Sequence, residues 1–172
     1  MPFVYKGDSG NANSGKVLRT MLLADSTEFT VGDAVKWNGV LGVGVLTGAT
    51  YATAGIITGF VKANGAPVTD DGASGVYKGT FTTGSSNTVK AIIDISCTSL
   101  WSVALDDTIA KTTGSNKEGV NFDLVAASDQ LDESSVQSAG TTAQFVSFGP
   151  DPDPKAPSNS VIVSIQESQY KI

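Results

Sequence analysis

Histidine is missing from the 172 residues, and cysteine and arginine occur once each, as Cys97 and Arg19. Without an imidazole, no Ser–His–Asp or Cys–His machinery can be assembled within this chain, nor a zinc site built on His or on several Cys. A lone cysteine forms no intrachain disulfide, which fits synthesis in a reducing compartment. Cys97 follows the apolar run Ala91-Ile92-Ile93-Asp94-Ile95 and reads as a buried small hydrophobe rather than a nucleophile. Positive charge is scarce as well: 11 Lys and Arg against 17 Asp and Glu leave a net −6. The lysines are scattered singly (Lys36, Lys62, Lys78, Lys90, Lys111), so no basic stripe offers itself to phosphate, and nucleic-acid binding is disfavoured. Long apolar runs are absent too. Val40 to Val45 is broken by Gly42 and Gly44, far short of the ~18 apolar residues of a membrane helix. Met1 to Gly7 has neither the basic start nor the apolar stretch of a signal peptide, so the expectation is a product made in the cytoplasm, with no membrane partner.

What remains is Gly (19), Ser (19) and Thr (18) between short β-branched and aromatic runs. That is the writing of strands and turns, not of helices. Strand signals recur at Val17–Leu23, Phe29–Trp37, Val40–Leu46, Ile56–Val61, Val76–Phe81, Val89–Ile95, Leu100–Leu105, Val120–Leu124, Phe145–Phe148 and Val161–Gln166. Between them lie turn signals: Gly32-Asp33, Asn38-Gly39 and Asn64-Gly65. Gly149 to Pro157 holds four prolines, which forbids a helix or a central strand. Ser128 to Gln137 reads as a loop or a short helix with Ser128 as N-cap. No long helical pattern separates the strands, which excludes a parallel βαβ sheet. The fold expected is all-β: an antiparallel β-barrel or β-sandwich with long polar loops and little helix.

The N-terminus divides the chain. Gly7 to Gly15 carries no apolar side chain larger than Ala12, yet Phe3, Val4 and Tyr5 stand before it. Two readings are open: an arm whose apolar tip docks elsewhere, or a first strand followed by a wide loop. The domain expectation takes residues 1–15 as an N-terminal arm, flexible or partner-docked. It takes residues 16–172 as a single all-β domain with a Pro-rich loop at 149–157.

Candidate chemistry is sparse. Asp70-Asp71 and Asp106-Asp107 are adjacent pairs, but neighbours on a strand point to opposite faces, and both sit beside turn residues. They read as turn formers. Asp70 to Val76 does not supply the alternating oxygens of a calcium loop. Asp151-Pro152-Asp153 could hold a hard cation, with a rigid solvated loop as the plainer reading. Gly84-Ser85-Ser86 and Gly114-Ser115-Asn116 lack the Lys of a phosphate loop. Trp37 and Trp101 are candidates for core or subunit interface, and less so for sugar stacking. No catalytic residue, cofactor or metal ligand is assigned, and no enzyme is expected.

Four stretches carry a family resemblance. They are Thr30-Val31-Gly32-Asp33-Ala34-Val35-Lys36; Ala54-Gly55-Ile56-Ile57-Thr58-Gly59-Phe60-Val61; Val89 to Asp94 with Leu100 to Asp106; and Val120 to Val125 through Gln144 to Phe148 to Val161–Ile165 around the Pro-rich loop. Their order resembles head decoration (cement) and related auxiliary capsid proteins of tailed bacteriophages, over most of residues 27–168. The resemblance implies a non-enzymatic virion protein that binds and stabilises the capsid exterior. Its partners would be the major capsid protein shell and itself as a homo-oligomer, with trimers suiting three-fold positions. No family site residue carries over. Phe3, Val4, Tyr5, Tyr170 and Ile172 are the interface residues expected from the apolar ends of the chain. The alternative is a carbohydrate-binding or host-adhesion β-module on a particle surface, to be read from the exposure of Trp37, Trp101, Tyr51 and Tyr77.

Overall fold

The computed structural model describes residues 3–8, 17–37, 43–45, 53–68, 79–106, 118–125, 130–132 and 143–166. Among them the chain is all-β. The strands are β1 (Val4–Asp8), β2 (Leu18–Leu22), β3 (Glu28–Thr30), β4 (Ala34–Trp37), β5 (Val43–Val45), β6 (Gly55–Val61), β7 (Thr80–Thr82), β8 (Lys90–Asp94), β9 (Ser99–Ala104), β10 (Glu118–Phe122), β11 (Phe145–Pro150) and β12 (Ser160–Ile165). They form one five-stranded sheet ordered β1-β9-β12-β11-β10, a second ordered β2-β8-β6-β4-β5, and a two-stranded ribbon β3-β7. Pairing within the sheets is antiparallel throughout. The sheets pack as a sandwich and do not close into a barrel. A parallel bridge from Leu23 to Val43, with the Ala24 N–H on the Val43 carbonyl at 2.9 Å, brings β5 alongside the end of β2.

The second sheet is the middle layer, which explains its consecutive apolar residues. Ala34 and Ile56 share one face with each other and pack into the core of the first sheet, against Trp101, Val103, Phe122, Phe145, Val161, Val163 and Ile165. Their neighbours Val35 and Ile57 point the other way, into a second core with Phe29, Phe60, Ala91 and Ile93, and Phe81 of the ribbon packs against it. A strand buried on both faces reads as an unbroken apolar run, whereas a half-buried one alternates. β12 alternates cleanly, with Val161, Val163 and Ile165 all in the first core.

Turn chemistry follows the sequence. Gly32, at φ 97°, lets Asp33 fold back so that its Oδ2 accepts the Thr30 N–H at 2.6 Å. Gly65, at φ 83°, donates its N–H to the Lys62 carbonyl at 2.9 Å, making the expected Asn64-Gly65 turn. Of the segment 128–137 only residues 130–132 are described. There Leu131 is buried and bridges Leu105 and Leu124 in extended form.

Cys97 corrects one expectation. It is exposed, because the buried Asp94 carboxylate caps the turn after β8. Asp94 accepts the Ser96 N–H at 2.9 Å and the Ser99 hydroxyl at 2.7 Å, which pushes Cys97 and Thr98 outwards. Desolvation and the neighbouring Asp94 carboxylate raise the Cys97 thiol pKa, so exposure does not make it reactive.

Candidate interaction surface on the N-terminal strand

Residues 4–8 form β1, the edge strand of the first sheet, paired with β9 of the same chain. Of the two readings of the N-terminus, this is the first strand. Phe3 is only 4% exposed. Its N–H bonds the Gly32 carbonyl at 3.0 Å and its ring lies 5.0 Å from that of Phe145. Phe3 therefore belongs to the core of its own chain and is no free apolar tip. Val4 and Tyr5 are partly exposed, while Tyr170 and Ile172 lie outside the described residues.

Alternation along β1 gives it two working faces. Phe3 and Tyr5 point inwards, and the Tyr5 ring meets Trp101 edge-on at 5.4 Å. Beneath them is a cavity of about 400 Å³, lined by Phe3, Val4, Tyr5, Val31, Ile57, Thr58 and Trp101. The bulge in β6 between Ile57 and Gly59 leaves Thr58 as the extra residue at this wall, its hydroxyl bonded to the Ile92 carbonyl at 3.1 Å. The lining is mostly apolar, so the pocket suits an apolar side chain or ligand.

A second bulge, between Tyr5 and Gly7, sends Lys6 to the other side. Its ammonium sits 3.3 Å from Asp151 and 3.0 Å from Asp153. Asp151 is buried and accepts the Ser102 hydroxyl and, at 2.9 Å, the Asp153 N–H. The cation held by Asp151-Pro152-Asp153 is thus a lysine. This lock ties the N-terminal strand to the Pro-rich loop across more than 140 residues of sequence.

The lock has a pH signature. Burial pushes the Asp151 carboxyl up, but the bonds from Ser102, the Asp153 N–H and Lys6 outweigh it, so its pKa lies below the ordinary 3.8. The carboxylates, Asp153 foremost, raise Lys6 above 10.5. A depressed acid stabilises the fold above its unfolded pKa and loses that contribution as pH falls through the folded value. A raised base contributes below its unfolded pKa and loses it as pH rises through the folded value. Melting temperature should therefore fall below about pH 4 and again above about pH 10. The acid limb should be shallower in Asp151→Asn; an unchanged limb in thermal melts would show that other carboxylates govern it.

The remaining candidates separate. Trp101 is buried, whereas Trp37, at the end of β4, is 48% exposed. Tyr51 and Tyr77 lie outside the described residues, as do Asp70, Asp71, Asp107 and residues 114–116. Asp106 is exposed beyond β9, its N–H bonded to the Leu131 carbonyl at 2.9 Å. Gly84, Ser85 and Ser86 form an exposed turn whose Gly84 carbonyl accepts the Ser26 N–H. No group of three or more metal-ligating side chains occurs among the described residues.

Sequence reading missed the Lys6–Asp151–Ser102 lock, since nothing local marks residues so far apart as partners. The place of β1 had a signal: Phe3 and Tyr5 two apart, with Lys6 next, is the alternation of a half-buried strand. No protein family, curated protein or solved structure matches the chain.

Proposed function

We propose that this protein is a non-enzymatic structural component of a phage particle that binds and stabilises the capsid exterior. The observation carrying this reading is β1. A capsid glue needs a rigid β-domain that presents apolar docking features, and β1 combines a strand pinned by Lys6 with partly exposed Val4 and Tyr5 beside an apolar cavity. Contacts of this size are weak singly, but repetition over a shell multiplies them through avidity. The ordered series of strand patterns over residues 27–168 supports the same reading by resemblance.

Immunogold labelling with an antibody to this chain should decorate the heads of intact virions. Val4→Lys with Tyr5→Ser should leave the isolated fold intact and lower occupancy on particles several-fold, by loss of apolar burial. Label confined to tails, or wild-type occupancy by the double variant, would overturn the assignment. Deleting residues 1–15 is not a clean test, because it removes Phe3 from the core.

A second reading, glycan binding, is favoured by the exposure of Trp37. Because Trp101 is buried, acrylamide should quench Trp37 selectively. Glycans that protect this component, with the protection lost in Trp37→Phe, would favour that reading.

A further inference from the structure

The open pocket beside β1 has walls that are held from behind. Three of its lining residues are aromatic, Phe3, Tyr5 and Trp101, and two, Ile57 and Thr58, come from the bulge of β6. Phe3 is fixed by its bond to the Gly32 carbonyl at 3.0 Å and by the Phe145 ring. Trp101 pairs with both Tyr5 and Val163 across its strand neighbours, and Lys6 fastens β1 to Asp151 and Asp153. The pocket therefore stands formed before anything enters it, and little ordering accompanies binding. At about 400 Å³ it lies at the small end of ligand sites, which span roughly 300–1,000 Å³. That suits one ring system rather than an extended molecule.

Its chemistry narrows the occupant further. No lining residue is charged. Lys6 is turned away, its ammonium held by the two aspartates. A carboxylate or an ammonium entering here would lose water and gain no counter-ion. The net charge of −6 adds repulsion against anions. Aromatic walls favour a ring, which meets them stacked or edge-on as Tyr5 meets Trp101. The Thr58 hydroxyl has already given its one hydrogen to the Ile92 carbonyl at 3.1 Å. Only its lone pairs are left for a ligand, so it accepts from an N–H or O–H and cannot donate.

We propose that this pocket binds a small uncharged aromatic ring bearing a hydrogen-bond donor, of the indole or phenol class. The ring fills the space among Phe3, Tyr5 and Trp101, and its N–H or O–H reaches the Thr58 oxygen. Tyr5 and Val4, partly exposed, form the rim through which it enters. The inference stands on the pocket and not on the capsid reading. Labelling of virions tests that reading separately, so either can fail alone.

In amide correlation spectra of the full chain, indole and phenol should shift Tyr5, Thr58 and Trp101 saturably, with indole half-saturating between about 0.1 and 1 mM. Indoleacetate and tryptamine, which carry a charge, should bind about tenfold more weakly or worse. N-methylindole, which has no donor, should lose about threefold or more. Thr58→Val keeps the shape and removes the acceptor, so indole and N-methylindole should bind it alike. Tyr5→Ala removes one aromatic wall and should weaken indole by about fivefold. N-acetyltryptophanamide presents the same ring on a peptide backbone: tighter binding than indole makes a partner's tryptophan the source, weaker binding a free molecule. No saturable shift with indole or phenol would overturn the proposal, as would shifts centred away from β1 and β6. Indoleacetate binding as well as indole would overturn it too, and so would equal affinity of the wild type for indole and N-methylindole. Should Thr58→Val fail to fold, that last comparison decides.

Discussion

Gly55→Ala should cost about 3 kcal/mol or more and leave little folded protein. Gly55 opens β6 opposite Val35, and β8 crosses it closely. A Cβ there would meet the Ile93 Cγ2 and stand 2.5 Å from the Asp94 carbonyl oxygen. The side chain can swing aside, but the carbonyl belongs to β8, an inner strand of the middle layer, and cannot retreat without shifting the strands it pairs with. The backbone at Gly55, with φ 159°, is one that side chains rarely adopt, which adds to the penalty of space. Gly59→Ala, four residues on, is the control. Its nearest neighbour would be Ile92 Cδ1 at 3.8 Å, an ordinary contact, and the change should stay within about 1 kcal/mol. Urea unfolding of the two variants side by side is the check. Equal midpoints would mean that β6 and β8 are not packed this closely.

Phe3→Ala should be nearly as damaging, about 3–5 kcal/mol, the range for removing a buried aromatic. Its ring fills the end of the first core against Phe145 and walls the cavity. Its removal would also widen the open pocket of about 400 Å³ beside it. Tyr5→Ala, at a partly exposed neighbour, should cost markedly less. Thermal melts give the totals, and hydrogen exchange at Tyr5 and Trp101 shows whether β1 detaches before the rest unfolds. If Phe3→Ala melts like the wild type, the N-terminus is an arm after all.

Much of this fold was legible because β-structure has a local code. Val161, Val163 and Ile165 alternate into one core as written. Gly32-Asp33 and Asn64-Gly65 turn where their chemistry says they should. Apolar pattern misled where hydrogen bonding sets which residue goes inside. Cys97 follows an apolar run and looked buried, but Asp94 takes the interior position by bonding Ser96 and Ser99, and the turn faces water. The place of Phe3 stayed open between arm tip and first strand, because the polar stretch after it says nothing of the slot beside β9.

By itself, then, the sequence determined the class: all-β, antiparallel, strands set apart by Gly, Asn and Pro, and no imidazole or cysteine pair for the commonest chemistries. These follow from backbone preference and side-chain period, which act over a few residues. Only the tertiary structure decided the strand order, the middle-layer role of the second sheet and the Lys6 lock on Asp151. Each of these joins residues far apart along the chain, and no local propensity encodes which distant strand will lie alongside. That choice is made by burying both faces of one sheet at once, an energy that exists only when all three layers are assembled.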